Sequence, residues 1–161
     1  MQKRAAPQAL SFPKEHLDIV REGMNLVVNG AGTAVRSKLQ LENIAMAGKT
    51  GTAQVRRIAG AQRGQSGEWK YRDHGLFVCF APVDNPRYGA AVVIEHGMGG
   101  ARAAAPIAKD VLTFLYDRDQ AMASLEALEA GWGGNIEQRL ASKYAAFQGQ
   151  PAPPPPLDPT T

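Results

Sequence analysis

Two apolar runs, Leu76–Ala81 and Ala90–Ile94, constrain the fold more than any other feature of the sequence. Pro82-Val83-Asp84-Asn85-Pro86-Arg87 lies between them, and that cluster of proline, aspartate and asparagine marks a turn. The runs therefore read as a β-hairpin whose second strand extends from Tyr88 to Glu95. Neither run alternates apolar with polar residues. Strands that are apolar on both faces belong to sheets covered on both sides, so both are expected to be central.

A third strand is expected over about residues 44–57, around Ala47-Gly48-Lys49-Thr50-Gly51-Thr52-Ala53-Gln54-Val55. If the strands pair in chain order, this strand and Tyr88–Glu95 are the two edges. Ala90–Ile94 carries no inward charge, proline or bulge of the kind that protects natural edges. The expectation is that its second partner comes from polypeptide outside this sequence, so that the chain is part of a larger domain.

The third strand carries the chemistry. Glycine inside a strand often marks a close approach of ligand to backbone. Lys49 is a cation, Thr50 and Thr52 carry hydroxyls, and Gly51 leaves the backbone open between them. Alternation puts Thr50 and Thr52 on one face and Lys49 on the other, though at an edge a long lysine can curl round. This pattern suits an anionic ligand whose carboxylate takes Lys49 and a hydroxyl, and whose carbonyl oxygen takes a backbone N–H. Gly48-Lys49-Thr50 also matches the tail of a phosphate-binding P-loop. That motif needs glycine where Asn43 stands, and a helix where Thr52 to Ile58 read as strand.

Helices flank these strands. Pro13 opens the first, with Ser11 as N-cap, a stripe of Leu17, Val20, Met24 and Val27, and a left-handed cap at Asn29-Gly30. Gly32-Thr33-Ala34 leads into a short helix or loop. Residues 58–74 read as a long surface loop anchored by Trp69 and Tyr71. After the flexible Gly97-Met98-Gly99-Gly100, a helix is expected over about 102–118 with Ile107, Val111 and Phe114 or Leu115 inside. Residues 119–130 and 135–147 read as further helices, the latter amphipathic on Ile136, Leu140, Tyr144 and Phe147. Pro151, Pro153 to Pro156 and Pro159 mark a disordered tail. The expected organisation is a domain portion over 1–118, a helical extension over 119–147 and the tail over 148–161.

Several function classes are excluded. The net charge of +3 is spread along the chain, without the clustered basic patch that nucleic acid requires. Cys79 is the single cysteine, in an apolar run, which rules out an internal disulfide and reads as inert core. His16, His74 and His96 show no metal-ligand spacing, and no metal or cofactor is expected. No run reaches the ~20 apolar residues of a membrane span. The basic N-terminus lacks the apolar segment of a signal peptide, so taken by itself the chain reads as cytoplasmic. Ser11-Phe12-Pro13-Lys14 has the spacing of a serine–lysine nucleophile motif, but Pro13 leaves Ser11 outside the helix and off the turn that such a pair must share.

In their order along the chain, Gly23-Met24, Gly32-Thr33-Ala34, Ala47 to Gln54, Asp73-His74, Phe77-Val78-Cys79-Phe80-Ala81-Pro82, Val92 to Glu95, Gly99-Gly100 and Ala105-Pro106 resemble the C-terminal part of a class B penicillin-binding protein transpeptidase domain. The resemblance covers about residues 10–117 and is nearest the rod-elongation type, penicillin-binding protein 2. It implies an α+β fold, a five-stranded antiparallel sheet with helices on both faces, of which this chain holds three strands. It implies a serine D,D-transpeptidase that cross-links peptidoglycan and maintains cell shape at the periplasmic face of the inner membrane, held there by an anchor on earlier polypeptide. Lys49, Thr50 and Thr52 would hold the carboxylate of a D-Ala-D-Ala stem peptide or a β-lactam. The Thr52 N–H would form half of the oxyanion hole, and Gly51 would make room for the substrate. The family's Ser-x-x-Lys nucleophile and Ser-x-Asn triplet have no counterpart here, since neither begins credibly at Ser11, Ser37, Ser66, Ser124 or Ser142. The chain alone is therefore expected to be inactive. The alternative reading is a non-catalytic module that uses the same fold to hold a cell-wall peptide or a protein.

Overall fold

A computed structural model describes residues 11–55 and 68–149. The chain divides into two units, Met1–Asp117 and Arg118–Thr161. The proline-rich segment from residue 150 and most of the expected 58–74 loop lie outside the described residues.

In the first unit, helix α1 (Lys14–Asn29) leads through a 3-10 turn (Val35–Ser37) to strand β1 (Ala47–Ala53). A second 3-10 turn (Trp69–Tyr71) precedes β2 (His74–Ala81) and β3 (Tyr88–Ile94). Helices α2 (Gly100–Ala103) and α3 (Ala105–Tyr116) follow. The sheet is antiparallel in the order β1-β2-β3. Lys49 stands opposite Val78, Thr52 opposite Gly75, and Phe77 opposite both Thr50 and Val92. The pairing in chain order is as expected, and the described residues place β3 at an edge.

Residues directly opposite across an antiparallel pair project to the same side. Gly75, Phe77, Cys79 and Ala81 are buried. They lie on the side that α1 covers at β1 and that α2 and α3 cover at β2 and β3. Val28, Met46, Phe77, Ala104, Ala105, Ala108 and Leu112 form the centre of this core. A Cβ on Gly48 would meet the Phe77 ring and sit 2.8 Å from the Val78 carbonyl. The glycine is what lets the aromatic ring close over the strand. The opposite side carries Leu76, Val78, Phe80, Ala91 and Val93, and here Val78 is 47% and Val93 58% exposed. The expectation of cover on both faces therefore holds for one face among the described residues.

Local expectations differ in instructive ways. Pro13, not Ser11, takes the N-cap position of α1, and no side chain caps it. Gly30 is extended (φ −97°, ψ −152°), not left-handed. The chain must turn at once to lay Gly32 against α1, where a Cβ would be 2.5 Å from the Val27 carbonyl. Val20 is exposed and Val28 buried, so the inward stripe of α1 runs through Met24, Val27 and Val28. The expected 102–118 helix is two helices, because Pro106 has no N–H with which to continue the ladder. Its buried side is Ala105, Ala108 and Leu112, while Ile107, Val111, Phe114 and Leu115 stay between 43% and 48% exposed. The alanine stripe is the one that allows α3 to come close to β2 and β3. Tyr116 closes this end, its hydroxyl donating to the Ala81 carbonyl at 2.9 Å.

In the second unit, α4 (Arg118–Gly131) and α5 (Ile136–Gln148) are joined through Gly133 (φ 87°) and Gly134 (φ 103°). These left-handed conformations favour glycine. A capping box starts α5: Asn135 Oδ1 accepts from the Gln138 N–H at 3.0 Å, and Gln138 Oε1 from the Asn135 N–H at 2.9 Å. Ile136, Leu140, Tyr144 and Phe147 are all more than half exposed.

Candidate functional site

The expected residues come together along β1. Among the described residues this strand has a neighbour only on its β2 side, so its other edge is open. Which backbone groups face that edge follows from Gly100. A Cβ there would meet the Leu76 carbonyl and lie 2.8 Å from the Gly51 carbonyl. One point can be near both oxygens only if both sit in the gap between β1 and β2. Gly51 therefore directs its backbone groups to β2, and by the alternation of an antiparallel ladder Thr50 and Thr52 direct theirs outward. The Lys49 side chain agrees, since its Nζ curls round to donate to the Thr50 carbonyl at 2.9 Å. Lys49 and Thr52 are exposed, and Thr50 and Gly51 partly so.

The glycines of this region differ in what they permit. Gly48 and Gly100 lack side chains because the interior has no room for them. At Gly51 the nearest side-chain atom to a notional Cβ is Leu76 Cβ, at 3.4 Å, an ordinary contact. Internal packing does not demand glycine at 51.

Helix α1 positions the strand. Asn29 Nδ2 donates to the Met46 carbonyl at 2.9 Å, one residue before β1, and Arg21 reaches the Val83 carbonyl at 2.8 Å. The Thr33 hydroxyl lies 2.9 Å from that of Thr50. Neither the role of Asn29 nor that of Thr33 is visible in residue pattern. The signal for Thr33 is the Gly32 before it, which pins the turn against α1.

The far end of β1 is tied down by histidines and an aspartate. Asp73 accepts from the Val55 N–H at 3.4 Å, and its carbonyl accepts from Met98 at 2.8 Å. His74 Nδ1 accepts from the His96 N–H at 3.0 Å, and His96 Nδ1 lies 2.9 Å from the Arg72 carbonyl. A carbonyl only accepts, so that ring nitrogen carries its proton. Trp69 packs on His96 at 4.2 Å between ring centres, which makes it the surface anchor the sequence suggested. His96 (φ 56°) and Met98 (φ 70°) both adopt left-handed backbone, held by these bonds. No group of three or more metal-ligating side chains occurs among the described residues. Burial pushes the Cys79 thiol above its ordinary range, as an inert core cysteine requires.

Ser11 and Lys14 do not form a nucleophile pair. Ser11 precedes α1 and is exposed, and Lys14 is paired with Asp18. The strand continues through Gly51 to Ala53, which removes the P-loop reading.

An α+β unit with a Lys-Thr-Gly-Thr strand on an open sheet edge defines a class, and comparison with known proteins agrees. The chain belongs to the penicillin binding protein transpeptidase domain family, whose profile matches residues 1–113. Within it, MrdA and PBP2 proteins are among the relatives. The peptidoglycan D,D-transpeptidases MrdA of Acinetobacter baumannii and Haemophilus influenzae are 42% and 34% identical over 98 and 99 residues. Those matches cover 59% and 60% of this chain, and 14% and 15% of the relatives' length. Among solved structures, Pseudomonas aeruginosa PBP2 in complex with WCK 5153 is 38% identical with a TM-score of 0.50, over 66% of this chain and 20% of that one. Helicobacter pylori PBP2, solved in complex with MreC, is 32% identical with a TM-score of 0.51, over 67% and 18%. Residues beyond 113, including α4 and α5, lie outside the family match.

Proposed function

We propose that this chain forms the substrate-carboxylate wall of a peptidoglycan D,D-transpeptidase that cross-links the cell wall at the periplasmic face of the inner membrane. The observation that carries the proposal is the outward-facing edge of β1, with a cation, two hydroxyls and an open glycine in four consecutive residues. Lys49, Thr50 and Thr52 hold the terminal carboxylate of a D-alanyl-D-alanine stem peptide, or the equivalent carboxylate of a β-lactam. Gly51 admits the substrate backbone. The outward Thr52 N–H points where the carbonyl oxygen of the scissile bond would carry negative charge. Loss of one such donor typically costs about 2.7–4 kcal/mol of barrier.

Acyl transfer also needs a serine nucleophile, activated by a lysine one helical turn away. Its oxygen bonds to the penultimate alanine carbonyl, and the terminal D-alanine leaves with the serine's proton. No described serine has that setting, and Ser66 has Trp69 where the lysine would stand, which supports a nucleophile and base supplied by other polypeptide. The apolar face of Leu76, Val78, Phe80 and Val93, and the open edge of β3, fit cover by that same polypeptide. Until such cover excludes water, an exposed lysine–carboxylate pair contributes roughly 0.2–1 kcal/mol. The chain by itself should therefore bind weakly and not turn over.

Incubation of the purified chain with a fluorescent penicillin tests this. The expected result is no covalent label, together with weak, saturable shifts of the Lys49 to Thr52 amides in an NMR titration. Covalent labelling would show that a nucleophile resides within these residues, and absence of any shift in β1 would remove the carboxylate role.

A further inference from the structure

The hydroxyl pair behind the strand assigns a task to a residue with no role so far. We infer that Thr33 is a positioning residue that orients the Thr50 hydroxyl as a donor toward the bound carboxylate. The inference rests on the carboxylate reading of β1 and extends it.

Each hydroxyl has one proton to donate. The two oxygens are 2.9 Å apart, so one of the two protons lies between them. If Thr50 donates to Thr33, it turns only lone pairs toward an approaching anion, and the contact is repulsive. If Thr33 donates to Thr50, the Thr50 proton is free for the carboxylate. The two O–H dipoles then align toward the negative charge, and each strengthens the other. An anion selects the second arrangement.

Thr33 is well placed to hold that orientation. It sits in a turn pressed onto the end of α1, where Gly32 has no room for a side chain against Val27. On its other side the Ala34 N–H donates to the Val27 carbonyl at 3.0 Å, and Ala34 is buried. Thr33 itself is exposed and buries no core surface. Its hydroxyl therefore has no packing task and meets Thr50 from a backbone held on both sides, by Gly32 against Val27 and by the Ala34 hydrogen bond.

The test uses the 161-residue chain and an N-acetylated tripeptide ending in D-alanyl-D-alanine, as the free acid and as the C-terminal amide. Affinities are read from NMR titration. Thr33→Val keeps the shape and removes the hydroxyl, and Thr33→Ser keeps the hydroxyl. The expected result is that Thr33→Val weakens the acid roughly 2- to 10-fold, leaves the amide unchanged, and is rescued by Thr33→Ser. A merely structural effect would move acid and amide together, and that result overturns the inference. An unchanged acid affinity in Thr33→Val, with the wild type still preferring acid over amide, overturns this inference alone. A wild type that does not prefer the acid overturns the carboxylate reading, and the role of Thr33 with it.

Discussion

Asn29, on the last turn of α1, donates from Nδ2 to the Met46 carbonyl 2.9 Å away, so the helix holds the strand that carries Lys49 at the point where it enters the sheet. Met46 is itself fully buried, which leaves its carbonyl no solvent to turn to. Replacing Asn29 by alanine should destabilise the chain by about 1–3 kcal/mol, the cost of a buried acceptor left unpaired. Urea denaturation should show a lower midpoint with an unchanged slope.

Gly100→Ala should be more disruptive than its size suggests. The added methyl would meet the Leu76 carbonyl and lie 2.8 Å from that of Gly51, and backbone cannot rotate away as a side chain can. Overpacking of this kind typically costs about 1–3 kcal/mol. Because the displaced carbonyls belong to the β1–β2 ladder, amide shifts should reach Thr50 and Thr52. A melt and spectrum identical to wild type would contradict the packing described.

Gly51→Ala should separate folding from binding. A Cβ at 51 makes an ordinary 3.4 Å contact with Leu76 Cβ, so the melting temperature should stay within about 0.5 kcal/mol equivalent of wild type. Affinity for a D-alanyl-D-alanine peptide should nevertheless fall, because the methyl occupies the ligand's space. Equal affinities in the two proteins would mean that nothing approaches the strand there.

Lys49→Met should remove the salt dependence of peptide binding. An exposed pair is screened over about 10 Å at 0.1 M salt, so wild-type affinity should fall as salt rises. The variant's should be weak and flat.

Cys79 should resist thiol reagents in the native state and react on unfolding. Burial disfavours its thiolate, so its folded pKa lies above the unfolded one. The neutral thiol is compatible with the fold below the ordinary thiol range, and the associated stability is lost as pH rises through that range and beyond. Unfolding midpoints should therefore decline at alkaline pH less steeply in Cys79→Ala than in wild type.

Much of the architecture was legible from residue pattern. The hairpin, the third strand and the α4–α5 helices follow from apolar runs, turn residues and helical spacing, while an antiparallel sheet throughout was what the family resemblance implied. These are local signals, set by the steric preferences of a few adjacent residues. The candidate site was legible for the same reason, since Lys49, Thr50, Gly51 and Thr52 are consecutive and a strand keeps them together.

Where two choices looked alike locally, only packing separated them. Helix α3 has two stripes at helical spacing, Ala105-Ala108-Leu112 and Ile107-Val111-Phe114. Hydrophobicity favours the larger one inside, but close approach to β2 and β3 selects the smaller. β2 is apolar on both faces, so its residues do not say which face α2 and α3 cover. Gly30 and Asn29 suggest a local cap, yet the turn at Gly32 and the Met46 carbonyl claim them instead. The pairing of Thr33 with Thr50 likewise joins residues seventeen apart. Sequence determined the elements and the chemical groups on β1. Tertiary structure decided which faces close and which hydroxyls meet, because those depend on the distance between backbones that no short stretch of chain contains.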